Sequence, residues 1–288
     1  MRVFMHLGLL LAAFSPTCSA VAVAQDSPAS LFGGDAIAPP PSGLNVWRAR
    51  SPDRTPVVIF LEDMDGLGTR RCQIGDLFRK LNDAGISVAI FDRSHTTLRE
   101  TANAVEDFLE NLRRRGRWFR LDLSRIAIAG CGTGAQFAAL AGLDPSQLER
   151  AGFAFSSLKA VAIIQSAGFD PANFVAQAEQ VEDDRRARRI RAYFDDSDMH
   201  RALSLAGVVG TPDAPAFLFV EPPIDSQRLI AFGTPIASGG GTEIRLHLIQ
   251  DLPEPPYREA RERRAEETSN IVAGFLVARL TPEAREPR

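Results

Sequence analysis

The sequence predicts an α/β domain with a doubly wound, mostly parallel sheet and helices on both faces. From about residue 44, short β-branched or aliphatic runs alternate with longer amphipathic segments. This alternation is typical of strands and helices that follow one another along the chain. The 288 residues are 45% hydrophobic and 24% charged, which is sufficient apolar material for one large core.

Six strands are predicted, and the segments between them predict helices. The strands lie at 56–61, 87–91, 125–129, 158–164, 216–220 and 243–249. The helices lie at about 74–84, 97–115, 133–142, 172–192, 225–233 and 257–280. The charge-rich stretch 172–210 is a candidate for a small cap over the sheet.

The N-terminus predicts a cleavable signal peptide over residues 1–24, because a short apolar run follows Arg2 and small residues precede Ala24. The run is too short to cross a bilayer, so no transmembrane anchor is expected after cleavage. A buried first helix is the alternative, although Pro16 would shorten it. A lipid anchor on Cys18 would lack the aliphatic residue expected three positions earlier. The remaining divisions are a flexible linker at 25–43, the folded domain at 44–282 and a tail at 283–288.

Export would place the chain in the periplasm or outside the cell. Cys72 and Cys131 would remain after cleavage, and an even count in an oxidising compartment permits a disulfide. Two separate buried thiols are the alternative. The formal net charge is −3, and the arginines are scattered along the chain. We therefore give the arginine excess no functional weight and expect no nucleic-acid partner.

A glycine-rich turn follows the predicted strand 125–129. Gly130-Cys131-Gly132-Thr133-Gly134 joins this strand to a predicted helix, the context required for a G-x-S-x-G nucleophile elbow. With the preceding run Asp122-x-Ser124-Arg125-Ile126, the chain resembles the α/β-hydrolase fold superfamily over 44–280. The resemblance is to small carboxylesterases and polysaccharide esterases.

The resemblance implies a serine nucleophile at the position of Gly132, which has no side chain that attacks a substrate. Cys131 and Thr133 flank this position, but neighbours on a sharp turn point elsewhere. A nucleotide site is the alternative for a glycine-rich turn. The third glycine is one residue too early for G-x-G-x-x-G, and the turn follows the third strand of the domain, not the first.

The resemblance also implies a His-Gly-Gly oxyanion loop after the first long strand, where this chain has Glu62 and Asp63. Acidic side chains there would oppose a developing oxyanion. Asp63-x-Asp65-Gly66 lacks the rest of a calcium loop, so neither a metal nor another cofactor is expected. The residues predicted to line a ligand pocket are Glu62, Asp63, Cys131 and Thr133.

By the same resemblance, Asp225 stands at the position of the catalytic acid, although an aspartate there equally suits a helix N-cap. The base is expected in the loop 250–256, which contains no histidine. His95, His200 and His247 all lie elsewhere in the sequence.

These changes predict an exported pseudohydrolase that binds a small ligand or an envelope protein, with Gly132 and Asp225 as vestigial triad positions. The alternative is an active carboxylesterase-type hydrolase with a displaced nucleophile and base. Cys131 or Ser166, together with His95 or His200, are the candidates for that arrangement. A third hypothesis is a structural role in an envelope assembly, without a pocket.

Overall fold

The computed structural model describes residues 44–62, 72, 74–92, 97–166, 184–196, 198–199, 214–221, 243–249 and 258–281. The predicted signal peptide, linker and tail lie outside these residues, as do the predicted helix 225–233 and most of the predicted cap. Within the described ranges the chain forms a sheet with helices on both faces. The predicted α/β class is therefore confirmed.

Seven strands form one sheet. They are β1 (Asn45–Trp47), β2 (Thr55–Leu61), β3 (Ser87–Phe91), β4 (Leu121–Gly132), β5 (Leu158–Ser166), β6 (Ala216–Glu221) and β7 (Ile244–Leu248). Their order is β1-β3-β2-β4-β5-β6-β7. Only the pairing of β1 with β3 is antiparallel; the other pairings in the sheet are parallel. All six predicted strands are present, and β1 is an additional one.

Six α-helices lie in the described part of the chain. They are α1 (Leu77–Asp83), α2 (Leu98–Arg115), α3 (Thr133–Leu143), α4 (Pro145–Arg150), α5 (Asp184–Tyr193) and α6 (Arg258–Leu280). Helix α4 was not predicted from the sequence, and α5 overlaps the end of the helix predicted at 172–192 and ends one residue beyond it. None of the helices described has both the length and the apolar character needed to span a membrane.

Each face of the sheet packs against its own apolar cluster, because successive strand side chains point to opposite faces. On one face, Val57 and Ile59 of β2 lie in a cluster with the buried side chains of α2 and α3. On the other face, Val58 and Phe60 lie in a cluster with the buried side chains of α1 and α6. This two-sided burial explains why all seven residues of β2 are buried.

Helix α2 runs from one edge of the sheet to the other. Thr97 caps its beginning, where the threonine side chain accepts a hydrogen bond from the Glu100 backbone N–H at 3.2 Å. The helix follows β3 and precedes β4, so it begins at the carboxyl edge of the parallel strands and ends at the amino edge. Its 18 residues span about 27 Å. Residues at the beginning and at the end of α2 therefore lie at opposite edges of the sheet.

Candidate functional site

The carboxyl edge of the parallel strands is where open α/β sheets bind ligands. Four of the strands bring sequence-predicted or chemically distinctive residues to this edge. Glu62 follows β2, Gly132 ends β4, Ser166 ends β5 and Glu221 ends β6. Gly132 and Ser166 are paired in the register of β4 and β5, so their backbones are direct neighbours.

Gly132 lies at the turn between β4 and α3, in a left-handed conformation with φ 57° and ψ −125°. A positive φ in a strand-to-helix turn is the geometry of a nucleophile elbow, and glycine adopts it without strain. The next residue, Thr133, begins α3 and is only 2% exposed. The turn thus has the backbone shape of a nucleophile elbow. Gly132, at the position of the nucleophile, has only a hydrogen atom as its side chain.

Two further glycines allow this turn to pack closely. A Cβ atom on Gly130 would lie 2.8 Å from the Cα atom of Ala135, with the Gly134 carbonyl closer still. A Cβ atom on Gly134 would lie 2.5 Å from the carbonyl oxygen of Glu62. Real Cβ atoms do not approach backbone atoms so closely, so both positions require glycine if α3 is to contact the end of β2.

Cys131 and Cys72 form a disulfide, with their Cα atoms 6.1 Å apart. Cys131 is 3% exposed and Cys72 is partly buried. The bond links the residue beside the elbow to the segment just before α1. Cys131 consequently has no free thiol, and its proposed role as a displaced nucleophile is wrong in this state of the protein, because a disulfide sulfur is not a thiolate.

The end of β2 places Glu62 at the site, half-buried. Its backbone N–H donates a hydrogen bond to the carbonyl of Phe91 at 3.0 Å. This N–H is engaged within the sheet and is therefore not free to stabilise an oxyanion. Asp63, the other acidic residue predicted at this position, lies outside the described residues.

Of the predicted acid and base positions, little falls within the described ranges. Asp225, His95, His200 and the loop 250–256 all lie outside them. His247 lies on β7, with its side chain 38% exposed and its Nε2 atom 3.3 Å from Glu267 Oε1. Glu267 belongs to α6, so His247 makes a surface contact with that helix and is paired in register with Val220.

Glu221 is a further candidate at the carboxyl edge, and it was not predicted from the sequence. It ends β6 and is fully buried, at 0% exposure. Its carbonyl accepts a hydrogen bond from the Ile249 N–H at 2.9 Å. One strand, β5, separates it from the elbow strand, which corresponds to about 10 Å between β4 and β6. A carboxyl group directly after the apolar run 216–220 was the signal available in the sequence.

A charged network lies where α1 meets α6, and its central residue, Asp76, follows Cys72 by four residues in the sequence. The Asp76 carboxylate accepts hydrogen bonds from Lys80, from Arg79 and, at 2.9 Å, from the buried Ser269 hydroxyl. Burial alone would raise the pKa of Asp76. The hydrogen bonds from Lys80 and Ser269, with the charges of Lys80 and Arg79, outweigh burial and lower the pKa from 3.8 to about 2. The network holds α1 against α6, so its role is structural.

No group of three histidine, cysteine, aspartate or glutamate side chains that would hold a metal ion occurs among the residues described. Asp63 and Asp65 lie outside the described residues.

No protein-family model and no curated protein sequence matches the chain. Solved esterase structures are similar to it. An acetyl ester-xyloside bifunctional hydrolase from Caldicellulosiruptor lactoaceticus is 16% identical, with a TM-score of 0.58 over 82% of this chain and 87% of that one. Est2 from Thermogutta terrifontis is 14% identical, with a TM-score of 0.58 over 84% and 91%.

Esterase B from Lactobacillus rhamnosis is 18% identical, with a TM-score of 0.59 over 82% of this chain and 81% of that one. At such identities the likeness shows the fold alone. The order of the strands, the one antiparallel pairing and the strand-turn-helix at Gly132 agree with it. The chain has an α/β-hydrolase fold that resembles the fold of small carboxylesterases.

Proposed function

We propose that the chain is an exported α/β-hydrolase-fold protein without hydrolase chemistry, which binds a small ligand or an envelope protein at the carboxyl edge of its sheet. One observation carries the proposal. Gly132 has the place and the positive φ of an elbow residue but no side chain. The disulfide removes the neighbouring cysteine as a substitute.

Small uncharged esters are the ligand class that suits this edge best. The similar solved structures include an acetyl ester-xyloside bifunctional hydrolase, which supports esters as first candidates. The carboxylate of Glu62 would repel an anionic ligand in a partly buried site, so an ester suits the site better than its acid product. The pocket-lining role of Glu62, Asp63, Cys131 and Thr133 belongs to the same proposal.

Export is part of the proposal, with residues 1–24 as the signal peptide and a periplasmic or secreted mature chain. The Cys72–Cys131 disulfide supports it, because such bonds persist mainly in oxidising compartments. Fusion of residues 1–43 to alkaline phosphatase tests the proposal, since that enzyme is active only after export. An inactive fusion that stays in the cytoplasm would contradict it.

Hydrolysis of 4-nitrophenyl acetate and labelling by a fluorophosphonate test the loss of chemistry. We expect neither in the wild-type protein nor in Gly132→Ser, because a new hydroxyl would still lack a base. Robust hydrolysis by Gly132→Ser would show that a histidine lies within reach of the elbow. Wild-type turnover that disappears in His95→Ala would equally overturn the proposal.

Ligand binding is measured separately, as the rise in melting temperature with peracetylated xylose, a neutral sugar ester. We expect Glu62→Gln to change this rise, because residue 62 lies beside the elbow. Glu267→Gln provides the matched control, since Glu267 is on the surface of α6 and contacts His247. The same melting temperature with and without the ester would exclude it as the ligand.

An active esterase is the second candidate function, and one specific observation favours it. Ser166 is the register partner of Gly132, so a hydroxyl-bearing residue ends the strand beside the elbow. With His95 or His200 as the base, Ser166 would be a displaced nucleophile. Hydrolysis that survives Cys131→Ala but disappears in Ser166→Ala would establish this function.

A further inference from the structure

The loop of residues 116–120, between α2 and β4, lies at the amino edge of the sheet, opposite the elbow. From Arg113 to Arg120 the sequence is RRRGRWFR, with five arginines and no acidic residue. We call these eight residues the arginine loop. Its charge is local, because the whole chain has a formal net charge of −3. This run is an exception to the scattered arginines described above, and we revise the expectation that they have no function.

Backbone hydrogen bonds give the arginine loop a defined shape. The Trp118 N–H donates to the Arg115 carbonyl at 2.9 Å, and the N–H groups of Phe119 and Leu121 donate to the Gly116 carbonyl at 3.1 and 2.9 Å. Phe119 is 6% exposed and packs in the apolar cluster, whereas Trp118 is 67% exposed. The buried phenylalanine therefore anchors a turn that holds the neighbouring indole in water.

This exposure distinguishes Trp118 from the other large apolar side chains. It is the most exposed of the three that are exposed in the described part of the chain. The other tryptophan, Trp47, packs edge-on against Phe78 with ring centroids 5.7 Å apart. A single exposed apolar side chain is common on protein surfaces, so the indole indicates a partner only in combination with the arginines around it.

Most of the arginines around Trp118 lack a carboxylate partner among the described residues. Arg114 forms an ion pair with Glu110. Arg113 donates to the Ala151 carbonyl at 3.0 Å, and Arg120 donates to the Pro52 carbonyl, which leaves their charges unneutralised. Neither Arg115 nor Arg117 is within salt-bridge distance of a carboxylate in the ranges described.

We propose that the arginine loop docks the domain on an anionic phospholipid surface. Trp118 would lie at headgroup level, where an amphipathic indole is favoured, and the arginines would contact lipid phosphates. A lipid surface presents phosphates beside an interfacial layer that favours an indole, which matches an exposed tryptophan among arginines. Docking at the amino edge would place the carboxyl edge, with the elbow, on the side away from the lipid, and the inference is independent of the proposed function.

Co-sedimentation with vesicles tests the proposal on the mature chain. We expect binding to vesicles of 30% phosphatidylglycerol in phosphatidylcholine, weaker binding in 1 M salt, and none to pure phosphatidylcholine. Arg115→Gln with Arg117→Gln should weaken binding by about 25-fold, at about fivefold for each arginine. The matched control is Arg188→Gln with Arg189→Gln, two exposed arginines on α5, which should leave binding unchanged.

Tryptophan fluorescence gives a second readout, because the chain has only two tryptophans. Anionic vesicles should shift the emission to the blue in the wild-type protein. Trp118→Phe should abolish the shift and retain part of the binding, and its exposed position makes loss of folding no concern.

Three results would each overturn the proposal. They are the absence of binding to anionic vesicles, equal binding to pure phosphatidylcholine, and equal weakening by the two arginine pairs. A blue shift produced by polyglutamate but not by anionic vesicles would replace the lipid surface with an acidic polypeptide and would also overturn it.

Discussion

Reduction of the Cys72–Cys131 disulfide is expected to lower the free energy of unfolding by about 4 kcal/mol. The bond joins residues separated by 59 positions. Closing a loop of this length in the unfolded chain removes about 14 cal/mol/K of entropy, which corresponds to about 4 kcal/mol at 25 °C. For a domain of this size, the loss corresponds to roughly 10 °C in melting temperature.

Urea denaturation with and without a thiol reductant measures this effect. The matched control is Cys72→Ala with Cys131→Ala, which should have the stability of the reduced wild-type protein and no response to reductant. Because Cys131 is buried and Cys72 is partly exposed, the alanine changes leave only a small cavity. A wild-type loss below about 1 kcal/mol would refute the loop-closure argument.

Two further predictions concern packing and charge. Gly134→Ala should cost about 3 kcal/mol or more in urea denaturation, because its Cβ atom would lie 2.5 Å from the Glu62 carbonyl oxygen. Gly274→Ala on α6, where no atom lies within 4 Å of the new Cβ, should instead stabilise by up to about 1 kcal/mol. The lowered pKa of Asp76, from 3.8 to about 2, should contribute stability above pH 4 that is lost as the pH falls toward 2. Its magnitude is about 1–2 kcal/mol after allowance for screening of a side chain that is 28% exposed. Asp76→Asn should therefore be less stable than the wild-type protein at pH 6 and similar to it at pH 2, and equal stability at both pH values would contradict this assignment.

Apolar runs were sufficient to predict the interior strands of the fold, because those strands are buried on both faces. The limits of β4 could not be predicted in this way. β4 extends from Leu121 to Gly132, beyond the predicted 125–129, because its ends pair with residues on neighbouring strands. Leu121 pairs with Thr55, and Gly132 pairs with Ser166. Such pairings depend on the tertiary structure and leave no apolar pattern.

Short elements were missed for two different reasons. β1 has three residues and owes its existence to antiparallel pairing with β3, which no local pattern reveals. α4 did have a signal in the sequence. Asp144 accepts a hydrogen bond from the Ser146 N–H at 3.0 Å as the N-cap, and Pro145 begins the helix. An aspartate before a proline thus marked this helix start.

At the candidate site, the sequence located the elbow but not the surroundings that decide its chemistry. The strand-turn-helix motif placed Gly132 correctly between β4 and α3. The engagement of the Glu62 N–H by Phe91 and the burial of Glu221 follow from how separate strands meet. The exposure of Trp118 was equally unpredictable, since a tryptophan beside Phe119 would ordinarily be assigned to the core.

The three glycines of the elbow have distinct roles: two are required for packing, and the third stands at the position of the nucleophile. Gly130 and Gly134 are required by packing alone, because backbone atoms occupy the space of their Cβ atoms. A glycine-rich turn here is therefore no evidence for catalysis. Gly132 differs, because its positive φ costs about 1–2 kcal/mol for a residue with a side chain. A catalytic serine at this position would bear that cost for its reactivity. Glycine adopts this φ without the conformational cost, but it has no hydroxyl. Gly132→Ser should therefore destabilise the fold without restoring hydrolysis.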